Sequence, residues 1–200
     1  MSLISFTPLA DGVTAVNASA TNTPLSTIYN DYNGNITDAN IAVSASIAGS
    51  KIKLNTISNP YKFSVYLGSN QSVNATTTSI ILFDTAEFDT GSNVDLVTHK
   101  GRFTAPVAGF YLFTWNITAT VSGGSTYYST LYKNGSALKD GSRYIQGAGT
   151  DVATNPGAVL LSLGATDYIE IAWTNTSGAT KTVTGNARSS WFTGQFVSAT

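Results

Sequence analysis

The chain of 200 residues contains no cysteine. Structural disulfides, thiolate nucleophiles and cysteine-ligated zinc are therefore excluded together. Secreted mammalian domains of this make-up commonly carry a bridge, so its absence leans towards a microbial or viral source. Charge is also scarce: 10% of residues are charged, against about 25% in an average soluble domain. Ten Lys and Arg stand against eleven Asp and Glu, for a formal net charge of −1. That balance offers no field to a nucleic acid or an anionic membrane, so no nucleic-acid partner and no membrane insertion are expected. No apolar run approaches the ~20 residues of a membrane-crossing helix. Residues 1–12 lack a basic leader and a sustained apolar stretch, and no signal peptide is read there. Extracellular work would then follow lysis or particle assembly. There is a single histidine, His99, and no Gly-x-Ser-x-Gly elbow, which leaves a hydrolase triad without support.

What is present is 42% hydrophobic residues, enough for a core, with a surface left to Ser, Thr, Asn and Gly. The best-patterned stretch is 101–113, Gly-Arg-Phe-Thr-Ala-Pro-Val-Ala-Gly-Phe-Tyr-Leu-Phe. Pro106 and Gly109 break it into two strands. From Gly109, the residues Tyr111, Phe113, Trp115 and Ile117 share one parity and Thr114, Asn116 and Thr118 the other, which predicts a strand with one buried face over 109–119. Further strands are read at 61–67, 127–133, 142–146, 158–163, 168–173 and 188–197. The continuous apolar run 79–83 is read as a buried strand. Asn134-Gly135 is a two-residue hairpin signal, and Ser122 to Ser125 and Gly147 to Gly149 are hairpin loops. Eight or more short strands without a helical stretch indicate an all-β sandwich or jelly roll over residues 59–200.

The N-terminal part reads differently. Residues 1–22 are small and polar and form an extended arm that needs a partner surface. Residues 23–35 predict a short helix, with Thr23 as cap, Pro24 at the first turn and Gly34 as stop. Leu25, Ile28, Tyr29 and Tyr32 fall at i, i+3, i+4 and i+7 and make one apolar stripe. So short a helix is marginal alone. Its stripe packs either on the chain's own body or on copies of itself around an axis; the second is favoured because the flanks carry little core. Residues 36–58 read as a stalk or linker rich in small residues.

Placed in order, the motifs resemble the globular head domain of complement C1q, of the tumour necrosis factor jelly-roll superfamily. The matching residues are Phe63-Ser64, Phe83-Asp84, then Gly101, Phe103, Pro106, Gly109, Tyr111 and Phe113 in one continuous pattern. Leu131, Asn134, Gly135 and Leu138 follow, then Leu161, Leu163 and Asp167, and finally Ser190, Phe192, Gly194 and Phe196. Ala105 replaces a frequent Cys, Thr166 replaces a frequent Gly, and the 95–101 turn is longer than usual. The resemblance implies a homotrimer packed through aromatic and aliphatic faces. Phe110 and Leu112, on the outward parity, and the adjacent Tyr127 and Tyr128, one of which must point out, are the interface candidates, together with Leu25, Ile28, Tyr29 and Tyr32. Residues 20–53 resemble the leading segment of bacteriophage fibre and spike proteins, through Asn-Thr-Pro followed by Ile28-Tyr29, Asn35-Ile36, Asn40-Ile41 and Ala45 to Ile52.

Chemistry is sparsely signalled. His99 reads as a solvated turn residue. Asp84, Glu87, Asp89 and Asp95 cluster in a stretch read as a surface loop of solvated charges; calcium is the cation its oxygens would suit, but no residue is assigned to a metal and no cofactor is expected. Asn-x-Ser/Thr sequons, such as those at Asn17, Asn35, Asn74, Asn116, Asn134 and Asn175, are what an Asn/Ser/Thr-rich chain produces by chance. The leading expectation is a non-enzymatic virion protein of a bacteriophage-like virus: a trimeric fibre, spike or capsid decoration, attached to a capsid or tail protein through residues 1–22, with the head displayed on the particle surface to bind a host saccharide or protein. The alternatives are a secreted cellular recognition or adhesion module of the C1q type and, third, a polysaccharide-degrading spike using the acidic cluster.

Overall fold

The computed structural model describes residue 59 and residues 61–199, which belong to one compact unit, Ser58–Thr200. The arm, the helix at 23–35 with Leu25, Ile28, Tyr29 and Tyr32, and the stalk lie outside the described residues. In chain order the strands are β1 (Lys62–Tyr66), β2 (Gln71–Val73), β3 (Thr77–Ile80), β4 (Thr85–Asp89), β5 (Val94–Asp95), β6 (Arg102–Thr104), β7 (Gly109–Asn116) and β8 (Thr118–Ser122). They continue with β9 (Thr126–Lys133), β10 (Ser136–Ile145), β11 (Thr150–Thr154), β12 (Gly157–Leu163), β13 (Tyr168–Asn175), β14 (Lys181–Val183) and β15 (Trp191–Ser198). No helix occurs among the described residues, and all pairings are antiparallel. The first sheet runs β12-β7-β15-β1-β4. The second runs β10-β9-β13-β6-β5, with β3 also on β13. A third runs β11-β8-β14-β2. This is the jelly-roll sandwich that the strand pattern predicts.

Alternation builds the core. In β7, Tyr111, Phe113 and Trp115 are buried while Phe110, Leu112 and Thr114 stay more exposed. The buried set meets Phe63, Phe103 and Phe192 from neighbouring strands; Phe63 lies 5.0 Å from Phe103 and 4.9 Å from Phe192 between ring centroids. A large ring cluster needs a small residue beside it. Gly194 of β15 supplies it: a Cβ there would come within 2.5 Å of Phe63 and 2.7 Å of Phe113. Towards the other end, polar groups are buried but paired. Trp115 Nε1 donates to Ser129 Oγ (2.8 Å), Ser129 Oγ donates to the Asn155 carbonyl (3.0 Å), and Trp173 Nε1 donates to Asn155 Oδ1 (2.9 Å). The Asn155 amide donates to the Tyr127 and Ser142 carbonyls. Buried amides need such partners, and one asparagine here ties together β9, β10 and β13 of the second sheet.

Asn134 and Gly135 have φ of 51° and 79°, the paired left-handed conformation that matches the twist of the β9–β10 hairpin. Three sequence expectations need correction. The strand predicted over 109–119 is two strands: β7 ends at Asn116, and Ile117 pairs its backbone with Asn155 before β8 begins. The apolar run 79–83 is not one strand. β3 is the more polar Thr77–Ile80, and beyond it Ile81 and Phe83 plug the core from irregular backbone while Leu82 is 45% exposed. Gln71 makes this course workable: its side chain donates to the Ile80 carbonyl and accepts from the Leu82 amide. Finally, the acidic stretch read as a surface loop contains β4, an edge strand on β1. Edge strands tolerate charge, so composition concealed it.

Candidate functional site

The register of the first sheet places Phe110 and Leu112 on its outer face, opposite the aromatic core. Leu112 faces Leu160 on β12 and Gln195 on β15; Phe110 faces Ser162. One row further, Thr114 pairs with Ala158 and Thr193, Thr193 with Ser64, and Ser64 with Phe88. Phe110 is 39% exposed, Phe88 46% and Leu160 55%. Hydroxyls run between these apolar groups: Thr114 and Thr193 share a 2.7 Å hydrogen bond, and Ser64 Oγ donates to Glu87 Oε2 at 2.7 Å. A shallow groove of about 380 Å³ crosses this face, lined by Lys62, Ser64, Phe88, Leu112, Thr114 and Gln195 among others. The outward parity of β7 was legible in the sequence. Leu160 and Phe88, which complete the face, were not assigned, although the alternation of 158–163 signalled Leu160.

The tyrosine pair divides. Tyr127 points inward, is fully buried, and stacks on Trp173 at 5.4 Å. It is therefore unavailable to a partner chain, because β9 registers on β13 with Tyr127 on the core side. Tyr128 takes the outer face of the second sheet, where the Arg143 guanidinium lies 4.3 Å over its ring. Farther along the same face, Arg102 lies 4.1 Å over Tyr168 and its Nε donates to Glu170 Oε1 at 3.1 Å. Tyr132 stands directly across from Glu170.

The charged loops are tightly organised. Asp95 accepts the backbone N–H groups of Val97, Thr98 and His99 at 2.8–2.9 Å, which holds its carboxyl down at a pKa of about 2; His99 Nδ1 lies 3.3 Å from the same carboxylate. Asp167 is likewise held at about 2 by Lys133 (2.7 Å), Asn134 and the Gly164 amide. Burial raises the Asp84 pKa, but the Gly68 amide, the Thr85 hydroxyl and Lys100 outweigh it and leave the carboxyl below its usual range. Asp89 accepts from the Val94 amide and Glu87 from Ser64. The four acids close in sequence thus serve separate turns and strands, and no group of three or more His, Asp or Glu is gathered among the described residues.

None of the curated proteins compared matches the chain. Among solved structures, the Eiger TNF from S. frugiperda superposes with a TM-score of 0.56 at 13% identity, covering 70% of this chain and 94% of that one. Murine APRIL at pH 8.0 superposes with a TM-score of 0.52 at 11% identity, covering 68% and 98%. The globular domain of the zebrafish complement 1qA protein gives 0.49 at 17% identity, covering 70% and 99%. At these identities the first two likenesses show the fold. The family model of the C1q domain matches residues 62–197, and the chain belongs to the C1q domain family.

Proposed function

We propose that this chain is a non-enzymatic display protein: a homotrimer, carried on a bacteriophage-like particle as fibre, spike or capsid decoration, whose C1q-type heads bind a host surface. The observation that supports it most is the outer face of the first sheet. Phe110, Leu112, Leu160 and Phe88 gather on one face of one sheet, and contiguous exposed apolar surface of this kind is normally covered by a partner. A closed three-fold arrangement of copies covers it in every chain equally. Residues 1–22, a polar arm with scattered Leu3, Ile4, Phe6, Val13 and Val16, would attach to the capsid or tail. Binding then works through avidity: three shallow sites on one rigid head act at high effective concentration.

Two measurements test this. Light scattering on the full chain is expected to give three times the mass of one chain, and a monomer at micromolar concentration overturns the trimer. Mass spectrometry and antibody labelling of purified particles are expected to find the product at a fixed position on the particle; its absence overturns the virion assignment.

A further inference from the structure

We propose that the outer face of the second sheet carries a binding site for a neutral saccharide, centred on Tyr132, Glu170 and Arg102. The proposal deepens the surface-binding reading above by naming the ligand class and the face, and rests on it. Strand parity puts the three residues together. Leu131, Ile169 and Ile171 point into the core and are fully buried, so Tyr132, Tyr168 and Glu170 lie on the opposite side. Tyr132 and Glu170 are direct cross-strand partners.

Glu170 is the unusual group. It sits on a solvent-side face yet is only 7% exposed. One carboxylate oxygen accepts from Arg102 Nε at 3.1 Å; the other, Oε2, has no hydrogen-bond partner among the described residues. Arg102 is itself held flat on Tyr168, 4.1 Å from its centroid, with its Nη donors uncommitted among the described residues. A partly buried ion pair adds little net stability, so the fold alone does not call for one at mid-face. What the pair provides is a fixed acceptor beside a fixed donor, with the ordering cost already met before a ligand arrives.

The chemistry selects the occupant. Arg102 is balanced by Glu170, and farther along Arg143 lies 3.7 Å from Asp140, so the face presents no net charge to an ion. The backbone of β13 is paired on both sides, by β9 and by β3 and β6, which rules out strand addition by a peptide. Vicinal hydroxyls of a sugar fit: one donates to Glu170 Oε2 and its neighbour accepts from an Arg102 Nη. The C–H face of the pyranose rests on Tyr132, whose ring has no aromatic or cationic partner among the described residues. The second stacked pair, Arg143 on Tyr128, extends the same face for a longer oligosaccharide.

The test uses the full chain with the methyl glycosides of glucose, galactose and mannose, N-acetylglucosamine, and N-acetylneuraminic acid as the charged comparison. Saturation-transfer NMR and calorimetry are expected to detect at least one neutral sugar. Tyr132→Ala is expected to weaken it at least about tenfold with an unchanged melting temperature, and Glu170→Gln to weaken it about as much, each the size of one lost stacking or charged hydrogen-bond contact. Should Glu170→Gln fail to fold, Tyr132→Ala decides alone. Binding of none of the neutral sugars at millimolar concentration, binding only of the charged sugar, or full binding by Tyr132→Ala overturns the proposal. If no sugar binds but the chain is found on particles, this site alone falls; if a neutral sugar binds through Tyr132 and the chain is absent from particles, the site stands and the virion assignment falls.

Discussion

Asp95 and Asp167 act as staples for two loops, and their protonation should be visible in stability. Both carboxyls have folded pKa values of about 2, below the 3.8 of a free aspartate. A depressed carboxyl contributes stability that is fully present above its unfolded pKa and is lost as pH falls through its folded pKa. Melting temperature measured against pH should therefore fall between about pH 4 and pH 2, and Asp167→Asn should show a lower melting temperature at neutral pH with a gap that closes towards pH 2. A constant gap across that range would contradict the assignment. Asn155 is the other decisive single residue. Asn155→Ala strands Trp173 Nε1 and removes the donor to the Tyr127 and Ser142 carbonyls, so urea unfolding should show a loss of about 3 kcal/mol. In the sequence nothing but the following Pro156 marks Asn155; its role arises because three strands from different parts of the chain converge on it.

At the level of elements, β15 closes the first sheet only because Gly194 leaves room for Phe63 and Phe113. Gly194→Ala forces those rings apart, and calorimetric unfolding should register about 2 kcal/mol of destabilisation. The β9–β10 turn was the easiest feature to read, since Asn134-Gly135 is specified locally, although β10 begins at Ser136 and not at the 142 where the strand is read. β3 and β4 were the hardest. The hydrophobic run 79–83 misleads because Ile81 and Phe83 fill the core without strand geometry, and β4 misleads because an edge strand needs apolar residues on one side at most. Both failures concern segments whose structure depends on a neighbour outside the segment itself: Gln71 for the first, β1 for the second.

For the molecule as a whole, the proposed trimer turns on the outer face of the first sheet. Leu160→Asp places a charge next to Leu112 at 55% exposure. If this face joins copies, light scattering should show the trimer falling to monomer while circular dichroism keeps its β signature, because Leu160 does not belong to the buried core. A trimer that survives both Leu160→Asp and Phe110→Asp would move the interface elsewhere. Only the partial outline of this face was legible beforehand. Phe110 and Leu112 followed from parity within one strand, but their neighbours depend on strand order, which places β12 and β15 on either side of β7.

By itself the sequence determined the fold class, the buried parity of β7, the hairpin at Asn134-Gly135 and, through its ordered motifs, the family. Those features are written in local periods and turn residues, and a short window contains all the information they need. Tertiary structure alone decided that Tyr127 enters the core while Tyr128 leaves it, that Glu170 and Arg102 meet across 68 residues beside Tyr132, and that four neighbouring acids serve four separate contacts. Two adjacent tyrosines are equivalent until a neighbouring strand fixes the register, and a one-residue shift in that register would exchange their faces.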